Sequence, residues 1–191
     1  MRIIAGECRG RTLHAPPGQA TRPTADRVRQ ALFDTLAHAS WAGMDLLRGA
    51  RVLDGFAGTG ALGLEALSRG AATAVFVEQN RAALRALREN VTACGMDGRA
   101  MIRAMDVLRL PARGASGPVD LIFLDPPYNQ DLPARALAVL ERGGWLHPAT
   151  LVVVETAAAE QPPVAADRLL LERRHGAACL YAWRHGPGDA A

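Results

Sequence analysis

Hydrophobic positions along this chain keep two rhythms in turn. From Asp26 to His38, Val28, Ala31, Leu32 and Leu36 recur at spacings of three and four, with Thr35 alongside, which predicts a helix. Thr24 stands where it can cap the first turn. Arg27 falls off the apolar stripe, free to face a ligand or solvent. From Arg51 onward, short apolar runs alternate with helical stretches. The runs are Arg51 to Asp54, Thr73 to Glu78, Ala100 to Ala104, Val119 to Asp125 and Leu151 to Glu155. Nearly continuous in apolar character, they read as strands of a parallel sheet buried on both faces. Helices are predicted over Ala61 to Ser68, Arg81 to Ala93 and Leu132 to Arg142. The second of these sets Leu84, Leu87 and Val91 on one face and stops at Gly95.

Both ends of the chain break the alternation. Leu169 to His175 and Ala178 to Arg184, joined by Gly176-Ala177, predict an antiparallel hairpin at a sheet edge. Ile3 to Gly6 and Arg11 to Leu13, around Glu7 to Gly10, predict another at the N-terminus. The expected fold class is α/β, a doubly wound and mostly parallel sheet. The expected division is an N-terminal hairpin and helix over 1–40, the α/β domain over 41–185, and a frayed tail over 186–191.

Composition narrows this picture in a few places. The chain has 191 residues, 49% of them hydrophobic, enough for one substantial core. No run approaches the roughly 20 apolar residues of a membrane span, and the N-terminus lacks the layout of a signal peptide. A cytoplasmic protein with no membrane association is expected. The three cysteines, Cys8, Cys94 and Cys179, are odd in number and far apart, which reads as free thiols. The five histidines show no helical metal spacing, so no metal is expected. Net charge is only +3, but its distribution is uneven. Residues 1 to 30 carry Arg2, Arg9, Arg11, Arg22, Arg27 and Arg29 against Glu7 and Asp26. Every base there is arginine, whose planar fork suits phosphate and guanine edges, so this arm reads as a nucleic-acid footprint.

The candidate chemistry begins at Val52-Leu53-Asp54-Gly55-Phe56-Ala57-Gly58-Thr59-Gly60-Ala61-Leu62-Gly63. A strand, a glycine turn and a helix in that order make a cradle for a nucleotide-type cofactor. Gly58 to Gly63 also fits GxGxxG, which keeps a dinucleotide-dependent oxidoreductase open as an alternative. Asp54 and Phe56 ahead of the glycines weigh against a pyrophosphate and suit the ammonium of S-adenosylmethionine. Glu78, ending the next strand with Gln79 beside it, is placed to take ribose hydroxyls of either cofactor. Asp106, after the third strand with Met105 and Val107 alongside, is placed to take an adenine amine.

A second motif, Asp125-Pro126-Pro127-Tyr128, closes an apolar strand. Two prolines withhold two N–H donors. The Asp125 carboxylate and the Pro126 carbonyl remain as acceptors for an exocyclic amine, and Tyr128 offers a face for a base. Asp125, Pro126 and Tyr128 are the expected catalytic set of an amino-methyltransferase. Guanine N2 in RNA and adenine N6 in DNA both fit the acceptor pair. A non-catalytic RNA-binding protein is a further alternative.

At this point the sequence resembles the bacterial 16S rRNA guanine-N2 methyltransferases over nearly its whole length. The likeness is carried by Met1 to Gly6 with Arg9-Gly10-Arg11, by Arg22-Pro23-Thr24-Ala25-Asp26-Arg27 and on to Phe33, by Leu53 to Gly70, and by Asp125 to Tyr128. Gly176 to Tyr181 matches in style. The resemblance implies a seven-stranded, Rossmann-like methyltransferase fold and S-adenosylmethionine as cofactor, held by Asp54, Phe56, Gly58, Gly60, Glu78, Gln79, Asp106 and Val107. It implies small-subunit 16S rRNA as partner. The RNA is expected within a small-subunit or assembly particle, and the enzyme is expected to be a monomer. RNA is expected at Arg2, Arg9, Arg11, Arg22, Thr24 and Arg27. Two positions depart from the family pattern: Asn80 stands where an acid is frequent, and Asp34 where an asparagine is common.

Overall fold

Five parallel strands and one antiparallel hairpin build a single sheet. The computed structural model describes residues 1–16, 23–42, 45–128 and 131–186, with the backbone alone at 23–25 and 116. Its strands are β1 Arg51–Asp54, β2 Thr73–Glu78, β3 Ala100–Ala104, β4 Leu121–Leu124, β5 Leu151–Ala157, β6 Leu171–His175 and β7 Ala178–Arg184. The α-helices are α1 Pro23–His38, α2 Ala61–Ser68, α3 Arg81–Ala93 and α4 Leu132–Arg142. Spatial order is β3-β2-β1-β4-β5-β7-β6. The first five strands pair in parallel, and β7 runs antiparallel to both β5 and β6. Parallel neighbours need crossovers, which α2, α3 and α4 supply. Chain order reverses at β1, which has β2 on one side and β4 on the other. The carboxyl ends of β1 and β4 therefore flank the crevice where doubly wound sheets bind ligands.

Side chains alternate across each strand, so the sheet feeds two cores. Val52, Leu121 and Phe123 enter one cluster with Leu64, Leu67 and Phe76. Leu53, Ile122 and Leu124 enter the other with Leu140, Trp145 and Trp183. Ile3, Leu13, Leu32, Phe33 and Leu36 all belong to the first cluster. The N-terminal segment thus packs into the core of the α/β body.

A buried acid fastens that segment. Glu65 on α2 has no solvent exposure. Its carboxylate accepts the N–H groups of Ile4 at 2.8 Å and Ala5 at 3.1 Å, and Arg69 Nε donates to it at 2.7 Å. Arg29, itself buried, lies 3.9 Å from Glu65, pairs with Asp26 at 3.0 Å and donates to the Arg2 carbonyl. Ser68 completes the seat: it accepts from the Cys8 N–H at 3.0 Å and donates to the Ala5 carbonyl at 2.6 Å. The expected N-terminal hairpin forms as a short antiparallel pair about Arg2 and Thr12, with the Ile3 and Leu13 N–H groups donating to the Arg11 and Met1 carbonyls at 2.9 Å. It goes no further because the Ile4 and Ala5 N–H groups turn to Glu65 on α2.

Other differences from the pattern are local. Helix α1 starts at Pro23, so Thr24 lies inside the first turn and not ahead of it. Proline suits a first helical turn, where its missing N–H has no partner to lose. Strand β4 covers Leu121–Leu124 only: the Val119 N–H turns to the Trp145 carbonyl at 2.9 Å, and Pro126 cannot extend the ladder beyond Asp125. Strand β5 runs on to Ala157 because β7 pairs with it as far as Ala178. Helix α3 does stop ahead of Gly95, which holds φ at +65°.

Candidate active site

Asp54 ends β1 and is 1% exposed. Its carboxylate accepts the Gly63 N–H from the first turn of α2 at 3.0 Å. A Cβ on Gly63 would stand 2.3 Å from the Phe76 ring, so only glycine lets α2 lie this close to β2. Gly60 precedes α2 at φ +83°, where a Cβ would meet Leu87 at 2.4 Å. Burial, opposed by the Gly63 bond and reinforced by the Glu78 charge, pushes the Asp54 pKa up to about 7.

The glycine loop is tied to the next strand. Glu78 accepts the Gly58 N–H at 2.8 Å, and also the N–H groups of Gln79 and Asn80 at 2.8 and 2.6 Å. Asn80, the departure from the family pattern, caps α3 by accepting from Ala82 and Ala83 at 2.9 and 3.0 Å. Asp106 accepts the Leu108 N–H at 2.9 Å, and the Val107 side chain is core.

A cleft of about 700 Å³ opens over the carboxyl ends of β1, β4 and β5. It collects Asp54, Phe56 and Gly58 from the glycine loop, Asp125 and Tyr128 from the second motif, and Glu155 from β5. Met1, Ala15, Val28, Arg29 and Leu32 line it from the N-terminal segment, and His175 to Ala178 and Leu180 line it from the β6–β7 hairpin. Five sequence-predicted site residues, Asp54, Phe56, Gly58, Asp125 and Tyr128, meet here. Gly60 and Pro126 are buried and outside the lining. Glu78, Gln79, Asp106 and Val107 also stand outside it, at or beyond the ends of β2 and β3.

Asp125 is exposed to the water of the cleft, and protein encloses the cleft around it. Burial first, then the charges of Glu155 and Asp54, push its pKa up to about 7. Tyr128 Oη donates to Glu155 Oε1 at 2.5 Å. Burial first, and then that bond, raise the tyrosine pKa above its usual range. Sequence reasoning missed Glu155, although it closes an apolar run just as Asp54 and Glu78 do. It also missed Arg29 as a wall residue. The signal there is a charge at the buried-face spacing of Leu32, Phe33 and Leu36.

Of the arginines expected to meet RNA, Arg2, Arg9, Arg11 and Arg27 are exposed. Arg9 and Arg11 border a second hollow of about 580 Å³ with Thr12 and His14. Arg22 lies outside the described residues, and of Thr24 only the helical backbone is described. Asp34, the other departure, is exposed and 3.9 Å from Arg69. Among the described residues, no group of three or more His, Cys, Asp or Glu could hold a metal. No helix among them is long and apolar enough to cross a membrane.

Burial first, and then the charges of neighbouring carboxylates, raise the pKa of both Asp54 and Asp125 to about 7. A pyrophosphate would add negative charge to that set; a ligand bearing ammonium and sulfonium groups relieves it. The residues present fit S-adenosylmethionine better than a dinucleotide.

A doubly wound sheet with this glycine loop and an Asp-Pro-Pro-Tyr turn at its switch point defines the methyltransferase class of α/β fold. The chain belongs to the family described as Conserved hypothetical protein 95, whose model matches residues 1–184. It is 38% identical to Ribosomal RNA small subunit methyltransferase D of Escherichia coli strain K12 over 156 residues, 82% of this chain and 74% of that protein. A solved structure of an Escherichia coli protein, 34% identical, covers 98% of this chain and 99% of its own with a TM-score of 0.82. An RNA methyltransferase from Salinibacter ruber, solved with S-adenosyl-L-homocysteine, shares the fold at 15% identity. It covers 90% of this chain and 98% of its own, with a TM-score of 0.59.

Proposed function

We propose that this protein transfers a methyl group from S-adenosylmethionine to the exocyclic N2 amine of one guanine in small-subunit 16S rRNA. The observation that carries this reading is the convergence of Asp54, Asp125 and Tyr128 on one cleft at the switch point. The relatives' names support the substrate class.

Asp54 holds the ammonium end of the cofactor, with Phe56 and Gly58 shaping the near wall. Glu78 and Asp106 continue the row of acids along the strand ends and take the ribose and the adenine amine. When bound, S-adenosylmethionine supplies a methyl on a positively charged sulfur, so the displacement needs alignment more than activation. Asp125 and the Pro126 carbonyl accept hydrogens of the target amine and turn its lone pair toward the methyl. The Asp125 carboxylate stabilises the positive charge that grows on N2. It also stands where the proton leaves after transfer, either to its own oxygen or to cleft water. Tyr128 stacks on the base. Arg2, Arg9, Arg11, Arg22, Thr24 and Arg27 hold the RNA, and the enzyme acts as a monomer on small-subunit RNA within a subunit or assembly particle.

The test is methyl transfer from labelled S-adenosylmethionine to small-subunit RNA, with the modified nucleotide mapped by mass. A single N2-methylguanine is expected. Label on adenine N6, or on no RNA, would reject the reading.

A further inference from the structure

The neighbour of Asp125 across the sheet is a carboxylate to which no role has yet been given. In the parallel ladder of β4 and β5, Leu124 stands opposite Val154. The next residue on each side is Asp125 and Glu155, and neighbouring strands lie only ~4.8 Å apart. Residues opposite one another in a parallel pair project to the same face, and both line the cleft. Glu155 is half-buried. Its Oε1 accepts the Tyr128 hydroxyl at 2.5 Å. Among the described residues, no hydrogen bond reaches its Oε2.

Resting on the guanine-N2 reading above, we infer that Glu155 is the specificity-determining residue that selects guanine over adenine, its Oε2 accepting the guanine N1–H. The amine chemistry of Asp125 and Pro126 serves guanine N2 and adenine N6 alike. The atom beside the amine tells the two bases apart. In guanine N1 carries a hydrogen; in adenine it carries a lone pair. An ionised carboxylate accepts only, so it bonds the first and repels the second. Three acceptors, Glu155 Oε2, an Asp125 oxygen and the Pro126 carbonyl, then face three guanine donors: N1–H and the two hydrogens of N2. Bases brought into such pockets are read along this edge. The Tyr128 bond makes the same carboxylate a strut for the stacking ring, so ring and reader are set together.

The sharpest probe is 2-aminopurine, which keeps the 2-amine but has a lone pair at N1. Once the methylated guanine is mapped, small-subunit RNA is prepared with guanine or 2-aminopurine at that site and assembled into particles. The wild-type enzyme is expected to favour guanine by about 100-fold or more in kcat/KM, since a site built to bond an N–H rejects the analogue lacking it. In Glu155→Gln the amide can donate to N1. The guanine preference is expected to fall at least about tenfold, with S-adenosylmethionine affinity and melting temperature as in wild type. An unchanged preference in the folded variant overturns the assignment. If that variant does not fold, Glu155→Asp, which keeps the carboxylate and shortens its reach, takes its place: a fall in the guanine preference supports the assignment, and an unchanged preference, or equal use of both bases by the wild type, overturns it. Absence of methyl on any guanine N2 overturns the parent reading as well, and so is told apart from failure of the Glu155 assignment alone.

Discussion

Tyr128 and Glu155 are joined across the mouth of the cleft, the phenol hydroxyl donating to Oε1 at 2.5 Å. The bond ties the Asp-Pro-Pro-Tyr turn to the end of β5. Tyr128 is 38% exposed and so presents ring surface to a ligand. Tyr128→Phe keeps the ring and loses the tie, and a several-fold rise in KM for RNA is expected. Tyr128→Ala loses the stack as well, about 1–3 kcal/mol, or roughly 5- to 150-fold in kcat/KM. Steady-state kinetics on small-subunit particles separates the two variants.

Asp125 must be ionised to accept from the target amine. Its pKa lies at about 7 in the free protein, so its ionised fraction falls about tenfold per unit below that value. The kcat/KM profile is expected to decline on its acid side with a midpoint near 7. Asp125→Ala is expected to abolish methylation while RNA binding, read by filter retention, stays within a few-fold of wild type.

Asp54 bears on stability as well as on binding. Its carboxyl binds a proton more tightly folded, at about 7, than at the ordinary value of 3.8. The stability it adds is therefore complete below about pH 4 and is lost as pH rises through 7. Asp54→Asn still accepts the Gly63 N–H and carries no buried charge. At pH 8 the empty variant is expected to be more stable than wild type, by on the order of 1–3 kcal/mol. That gain should shrink toward pH 5, and cofactor binding should be lost at both. Urea melts at the two pH values and calorimetric titration check these outcomes.

Glu65 is a buried charge with two arginines and two backbone N–H groups depending on it. Glu65→Ala leaves the Ile4 and Ala5 N–H groups without their acceptor and takes from Arg29 and Arg69 their shared buried counter-charge, leaving them Asp26 and Asp34. A loss of about 3–5 kcal/mol is expected, with proteolysis entering first at residues 1–16. Denaturant melts and limited digestion read both effects.

Arg27 is exposed on α1, near the wall that Val28 and Arg29 give to the cleft. If it neutralises an RNA phosphate, Arg27→Ala should reduce the slope of log K against log salt by about 0.7–0.9. Affinity measured between 50 and 200 mM salt tests this, and an unchanged slope would remove Arg27 from the interface.

The order of elements was legible along the chain because each buried strand is a short apolar run and each covering helix repeats at three and four. Strands β1, β2 and β3, helices α2, α3 and α4, and the last strand β7 begin and end where that pattern places them. Asp54 and Asp125 were legible too, since an acid closing a buried strand has no packing reason to be there. Glu155 carries the same mark, but it had no glycine loop or proline pair beside it to draw attention.

Pattern alone therefore determined the α/β class, the glycine loop and the amine-accepting turn, all of which are written within a few consecutive residues. Only tertiary structure decided what joins them. Glu65 meets residues about 60 positions earlier, and Tyr128 meets Glu155 27 positions later. The strand order that brings Asp54, Asp125 and Glu155 to one cleft comes from pairing between distant segments. Sheet pairing and burial act through space, and a linear pattern records which residues face inward but not which of them face one another.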